Sequence, residues 1–404
     1  MSSKSILNYG VAIIVAIVLV TWYVGHRTTR LLELGIRARR LVWATLGLMM
    51  GLQVAVRFLP FMGGKDLAPG VRMAIHWGSA VSSATLVSLF LAVLLLDFGA
   101  VILKYYRYGA ADEVHPSDRE SPASPERRAL LARGGKLATF GLTGSVLGTG
   151  VGEAVRVPRV VDVMVPIAGL APALENFHIV QISDLHVGPT IGESFVRDLV
   201  TAINALNPDL IAITGDLADG LVNDLWADVA PLADLRARHG VFYVTGNHEY
   251  YWDAPGWCEA VTRLGATVLS NEHRVLHHEG STLLLAGVTD YGAGGFDAAS
   301  HSDPRLAVAG APDCDARILL AHQPRSCRKA AGLGFHLQLS GHTHGGQILP
   351  WAALILLVQP FVAGLNRAGD LWVYVSRGAG YWGPPLRLGA PSEIASIRLR
   401  RGEP

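Results

Sequence analysis

Apolar positions are distributed unevenly along this chain. Three long runs crowd its N-terminal region. Ile6 to Gly25 reads ILNYGVAIIVAIVLVTWYVG. It has no charge, has the length of a bilayer span, and ends in Trp22 and Tyr23, where interfacial aromatics belong. Leu41 to Met62 is a second run, with Arg57 near its end where a long side chain can snorkel. Met73 to Leu103 is a third, longer than one span needs, and contains His76 and Asp97. Three such runs would overfill one small soluble core, so the pattern predicts transmembrane helices. A fourth, shorter candidate is Leu137 to Val151, LATFGLTGSVLGTGV. It is glycine-rich and follows Glu126-Arg127-Arg128, a faint match to a twin-arginine export signal.

From Phe177 the pattern changes. Short apolar or β-branched runs end in glycine, aspartate or histidine: FHIVQISD, DLIAITGD, GVFYVTGN, STLLLAGV, ARILLAHQ and FHLQLSG. Helical stretches, such as Glu193 to Leu206 and Asp224 to Arg238, lie between several of them. Strands alternating with helices predict a layered α/β domain. The expected organisation is a membrane region over 1–153, with three or four spans, and a globular domain over 175–404.

Composition agrees with the membrane reading. Half of the residues are apolar and only 17% are charged, too greasy a balance for an ordinary soluble protein. The net charge of +1 argues against a strongly basic nucleic-acid binder, so no nucleic-acid partner is expected. Cys258, Cys314 and Cys327 are odd in number and widely spaced, and form neither a disulfide framework nor a zinc knuckle. The arginine-rich HRTTRLLELGIRARR between the first two runs belongs in the cytoplasm by the positive-inside rule. The third run then returns the chain to a polar, basic cytoplasmic linker at about 104–136. If the fourth segment spans, the globular domain faces outward, the reading favoured by its basic flank; if it does not, the domain stays cytoplasmic.

The chemistry lies where the strands end. Asp184 and His186 follow FHIVQIS, Asp216 follows LIAITG, and Asn247, His248 and Glu249 follow VFYVTG. His322 follows ILLA, and His342 and His344 follow LQLSG. Ligands in layered α/β folds bind at the carboxyl ends of strands. Any one of these histidines alone is an ordinary residue, and GD or GN pairs are ordinary turns. Five strands that each end in a metal-competent side chain are not. A pocket with two aspartates, an asparagine and four or five histidines suits Mn²⁺, Fe or Zn²⁺ better than Ca²⁺ or Mg²⁺ alone. It holds more donors than one ion needs, so two divalent metal ions are expected.

The motifs DLH, GDLADG, GNHE, AHQP and GHTHGG, in this order and spacing, resemble the calcineurin-like metallophosphoesterase family. The form LSGHTHGGQ and the tail VSRGAGYWGPPLRLGAPSEI are similar to a membrane-associated bacterial branch. The resemblance implies a four-layer α-β-β-α sandwich and hydrolysis of a phosphodiester or pyrophosphate bond by a dimetal-bound hydroxide. It implies Asp184, His186 and His344 at one metal, Asp216 bridging, and Asn247, His322 and His342 at the other. His248 would act at the leaving oxygen. Some members of the wider group cleave the pyrophosphate of UDP-2,3-diacylglucosamine, which is an alternative here. A non-catalytic membrane sensor on the same fold is a further alternative, although no expected ligand is lost. The implied partners are the bilayer and a phosphorylated small-molecule or lipid substrate.

Some residues stay open. Asp219 is either a support for a ligand or an exposed turn residue, and Glu249 either supports His248 or caps a helix. Arg377 reaches substrate phosphate or forms a structural salt bridge. Pro350 to Gly364, PWAALILLVQPFVAG, is too short to span. It is either a buried helix or strand, or a membrane-dipping loop beside the site. His239, His273, His277, His278, His301 and His336 have no motif context.

Overall fold

The computed structural model describes residues 3–58, 67–109 and 125–402. The chain divides near Gly152 into two compact units.

Among the described residues, the first unit carries α1 (Ser3–Leu31), α2 (Ile36–Phe58), α3 (Pro69–Gly109) and most of α4 (Pro125–Val155). Val24, Leu46 and Leu86 join α1, α2 and α3 in one apolar cluster. Gly25 admits the indole of Trp43, since a Cβ there would stand 2.6 Å from the ring. Within α3, Gly70–Tyr106 is long and apolar enough to cross a bilayer, and only 28% of its most apolar stretch is buried. Asp97 is the carboxylate of this helix. It accepts hydrogen bonds from Arg27 Nε and the Tyr23 hydroxyl, each at 2.7 Å, and Arg27 Nη2 also contacts it. The expected linker is shorter than read from sequence. Helix α3 continues through Gly109 and α4 starts at Pro125, because no breaker interrupts LKYYRY and proline opens a first turn well. The remainder of that linker, 110–124, and the end of the second run, 59–62, lie outside the described residues.

The second unit is a four-layer α-β-β-α sandwich. One sheet has the order β1 (Arg159–Ile167), β12 (Glu393–Arg401), β2 (His178–Ile182), β3 (Leu210–Ile213), β4 (Val241–Tyr243), β5 (Thr267–Val268). The other runs β10 (Gly364–Ala368), β11 (Leu371–Val375), β9 (Leu337–Ser340), β8 (Ala316–Leu320), β7 (Ser281–Gly287), β6 (Glu272–His278). Every residue of β2, β3 and β9 is buried, as strands covered on both faces require. Ile179, Leu210, Phe242, Ile318 and Leu339 belong to the layer between the sheets. Helices α5 (Glu193–Asn204), α6 (Val222–Val229), α7 (Asn247–Trp252) and α8 (Ala254–Arg263) follow strands of the first sheet. In α5, Val196, Leu199, Val200 and Ile203 form one buried stripe at helical spacing against it. The short α9 (Pro304–Ala307) and α10 (Cys327–Ala330) pack on the second sheet, and α11 (Trp351–Ile355) follows the last motif.

Two details differ from the sequence reading. The sandwich starts before residue 175: β1 pairs in parallel with β12 along its whole length. Its alternating, half-exposed pattern marks an edge strand, a weaker signal than the buried runs. The helix expected over Asp224 to Arg238 is α6 followed by a 3₁₀ turn, Ala230–Asp234. The proline at 231 has no N–H to continue the ladder.

Candidate metal centre

Strands β2, β3 and β4 are parallel neighbours in one sheet, and β8 and β9 are parallel neighbours in the other. Their carboxyl ends therefore meet at one edge of the sandwich. The turns that follow are sharp. Asp184 (φ 54°), His186 (51°), Asp216 (53°), His342 (72°) and His344 (51°) all adopt the left-handed region. For non-glycine residues this conformation costs about 1–2 kcal/mol each. Strain gathered in one place marks a site where side-chain aim outweighs local comfort. Backbone bonds sustain it: Asp184 N–H donates to Gly215 O (3.0 Å) and His186 N–H to Asp216 O (3.1 Å), extending the β2–β3 ladder past both strands.

Two glycines are required by close approach. A Cβ on Gly246 would collide with the Asp216 carboxylate, and one on Gly341 would collide with Ser183 and Asp184. Glu249, fully buried, joins two of the loops. Its carboxylate accepts from the N–H of Gly246 (2.6 Å), Leu217 (2.7 Å) and Asp216 (3.1 Å). It caps α7 and fixes the Asp216 turn; it makes no contact with the His248 side chain among these bonds.

The predicted site residues converge. Three overlapping groups each bring their ligand atoms within 4.8 Å: Asp184 with His186 and His344; His186 with Asp216 and His248; and Asp216 with His322 and His342. Asp216 thus stands between the first and last groups. Its Oδ2 lies 3.9 Å from His186 Nε2 and 3.2 Å from His322 Nε2. Asn247 Oδ1 is 3.2 Å from the same His322 nitrogen. The His322 Nδ1–H donates to the Thr214 carbonyl (2.8 Å), which turns Nε2 into the cleft. Both Asp184 oxygens accept the His342 N–H at 3.0 Å.

Electrostatics agree with a donor pocket. Burial pushes the Asp184 carboxyl up. Burial works the same way on Asp216, but the His322 and His248 imidazoles outweigh it and hold Asp216 well below the usual carboxylate range. Burial, with His322 beside it, pushes His342 down to about 3. Burial, with His186 and Arg387 nearby, holds His344 well below its usual value. Both rings are therefore kept unprotonated, the form that ligates a metal. Pairs of ring nitrogens also face one another: His186 and His344 Nε2 at 3.1 Å, and His342 Nδ1 and His322 Nε2 at 3.2 Å. Converging lone pairs beside two buried carboxylates fit divalent cations of the Mn, Fe or Zn type.

Asp219 is where the sequence reading was undecided. Its Oδ1 accepts from His248 Nδ1 at 2.5 Å and from His186 Nδ1 at 3.1 Å. One carboxylate sets the tautomer of both rings and leaves each Nε2 facing inward. Burial opposes protonation of His248, but Asp216 and Asp219 outweigh it and raise its pKa to about 9. Arg377 forms the structural salt bridge, with Nη1 on Glu393 at 2.6 Å. Sequence reasoning missed Arg387. It is 1% exposed and donates to the carbonyls of Gly380 (2.8 Å), Ala390 (2.9 Å) and Arg377 (2.8 Å), which fixes the C-terminal loop behind His344. The signal for it, an arginine inside LRLGAP, does not differ from any surface arginine.

Sheet order, donor set and loop geometry together describe a metal-dependent phosphoesterase. A family model described as calcineurin-like phosphoesterase matches residues 177–346. A Danio rerio protein named "Transmembrane protein with metallophosphoesterase domain" is 36% identical over 338 residues, 81% of this chain and 74% of that protein. A Helicobacter pylori metallophosphoesterase is 33% identical over 339 residues, 81% of this chain and 83% of its own. A Bos taurus protein named like the fish one is 39% identical over 259 residues, covering 61% of this chain and 58% of that protein. The chain belongs to the metallophosphoesterase family and is a phosphoesterase hydrolase.

Proposed function

We propose that this protein is a multi-pass, membrane-anchored phosphoesterase that hydrolyses a phosphodiester or pyrophosphate bond. Asp184, His186 and His344 would hold one cation, Asn247, His322 and His342 would hold the second, and Asp216 would be shared between them. Two divalent cations, when bound, neutralise phosphate charge and supply a water acidic enough to ionise near neutral pH. The chain's own contribution is to aim and to protonate. His248 presents Nε2 to the cleft and transfers a proton to the leaving oxygen, or stabilises its charge. Asp219 is its positioning residue, and the rings of Tyr251 and Trp382, with centroids 4.9 and 6.1 Å from that of His248, limit its motion.

The observation that carries this reading is the chain of three overlapping ligand groups, joined through His186 and Asp216. The full chain, purified in detergent, is expected to hydrolyse bis-p-nitrophenyl phosphate when Mn²⁺ is added. Asp216→Asn is expected to abolish turnover, and His248→Ala to lower it by about 10²–10⁴-fold. Undiminished activity in both variants would overturn the mechanism.

The anchor is proposed to use three or four spans, on the support of the α1–α3 cluster and the apolar stretch of α3. The catalytic unit is proposed to face outward, on the support of the basic flank Glu126-Arg127-Arg128 at the start of α4. A C-terminal alkaline phosphatase fusion tests this, and an active cytoplasmic reporter in its place would reverse it. The narrower UDP-2,3-diacylglucosamine-type reading requires a site that meets cytoplasmic nucleotide lipid, so the same fusion decides for or against it.

A further inference from the structure

The middle of the segment that follows the last metal motif stays out of the core. From Gly345 to Asn366 no residue carries a charge. Its middle is α11 and the turn after it. There Leu354, Leu356, Leu357 and Val358 are 60%, 58%, 81% and 61% exposed. Single exposed aliphatic residues need no explanation, but a contiguous group does. Phe361, by contrast, is partly buried against the second sheet and belongs to the base of the segment, not to its tip.

The tip is held firmly at both ends by the loops of the site. At its start, Gly346 lies against Ala352, where a Cβ on the glycine would come within 2.7 Å. Gln347 Nε2 donates to Trp382 O (2.8 Å), and Gln347 Oε1 accepts from Trp382 N (2.9 Å). At its end, buried Gln359 accepts from Arg325 N (3.1 Å) and donates to Gln323 Oε1 (3.1 Å). Thr343 Oγ1 donates to Val362 O (2.5 Å). An apolar tip is therefore fixed by polar contacts to the AHQP and GHTHGG loops.

We infer that this tip inserts into the surface of the bilayer that anchors the chain, so that a phosphoester at the lipid surface enters the site directly. The occupant is argued from three facts. The chain carries an apolar helix of membrane-spanning length, and the anchor proposed above would keep its catalytic unit at a bilayer. The exposed residues are wholly uncharged and aliphatic, which suits acyl chains. Trp351 and Trp382, 39% and 46% exposed, flank them with the indoles that favour the headgroup level. The docking rests on the proposed anchor, and the statement about substrate rests on the phosphoesterase reading as well.

The test uses the full chain with Cys258, Cys314 and Cys327 replaced by alanine and Mn²⁺-dependent hydrolysis retained. A nitroxide is placed at Leu357→Cys, or at the fully exposed Asp313→Cys as control, in nanodiscs of phosphatidylcholine and phosphatidylglycerol. The label at 357 is expected to gain oxygen collisions and lose access to a water-soluble nickel chelate, and the control to show the reverse. Nickel access at 357 equal to that of the control overturns the inference. Spin–spin broadening that fades on dilution with unlabelled protein also overturns it, because a second copy then covers the tip. The variant Leu354→Ser/Leu357→Ser is expected to hydrolyse soluble bis-p-nitrophenyl phosphate at the parent rate. Its rate on a diacyl p-nitrophenyl phosphodiester dispersed in phosphatidylcholine is expected to fall about tenfold, and equal rates on that probe count against docking. If the parent hydrolyses neither probe, the phosphoesterase reading fails and the label alone decides the docking.

Discussion

The two units satisfy carboxylates in opposite ways. In the helical unit, Asp97 is met by a guanidinium and a phenol, Arg27 and Tyr23. In the sandwich, Asp184 and Asp216 are 0% and 2% exposed and are surrounded by imidazoles and backbone N–H groups. The first arrangement is complete in itself, since charge meets charge and the donors are used. The second gathers ring nitrogens around buried carboxylates: burial keeps His342 and His344 unprotonated, while the carboxylates outweigh burial at His248 and raise its pKa to about 9. A charge paired with a fixed countercharge is architecture, whereas buried carboxylates beside unprotonated imidazoles are a candidate cation site.

The sharpest way to break this contrast is to remove the acid. His248→Ala is expected to lower kcat on bis-p-nitrophenyl phosphate by about 10²–10⁴-fold, the usual worth of a positioned proton donor. Mn²⁺ is expected still to raise the melting temperature of that variant. Loss of the Mn²⁺ effect would mean that His248 is itself a ligand. Asp219→Asn comes next, with an expected loss of about 10–100-fold, because both His186 and His248 lose the carboxylate that orients them. A pH profile identical to that of the parent in this variant would reduce Asp219 to a structural role.

Metal removal addresses stability. Chelation should lower the melting temperature of the catalytic unit, and Mn²⁺ at about 100 times its dissociation constant should restore about 2.7 kcal/mol. Replacing Asp216 with asparagine should erase most of that difference. In the helical unit, Arg27→Met and Asp97→Leu should each destabilise the chain in detergent. The double variant should recover part of the loss, with a coupling of about 0.5–3 kcal/mol by thermal melting. Additive losses would show that the pair is not a self-contained unit.

The smallest effect concerns a third solution, a buried group that simply stays neutral. Burial, helped by Arg398, pushes the His178 imidazole below its usual value, and its Nε2 bonds to Ser396 Oγ at 3.0 Å. A folded-state pKa below the unfolded one means that stability is present above about pH 6.5 and is lost as pH falls through the folded value. His178→Gln should flatten the melting temperature between about pH 7 and pH 5 by a small amount. An unchanged slope would remove His178 from the account.

The candidate ligand positions were readable because each follows a strand, and strands are written in short apolar runs. The roles of Asp219 and Arg387 were not readable. An aspartate three residues after Asp216 is an ordinary turn residue until His186 and His248 come to face it. Likewise, the exposed tip at Leu354–Val358 looked as much like core as like surface, because hydrophobicity alone does not say which face will be covered.

Local pattern therefore determined which side chains stand at strand ends, which segments are apolar enough for a membrane, and the layered α/β class. Such properties depend on neighbours a few residues away. Tertiary structure alone decided that β1 joins the sheet, that five site residues take the left-handed backbone, and which polar atoms meet. His186 and His344 lie 158 residues apart, yet their nitrogens stand 3.1 Å from each other. Strand order and the packing of two sheets produce that approach, and no short stretch of sequence contains either.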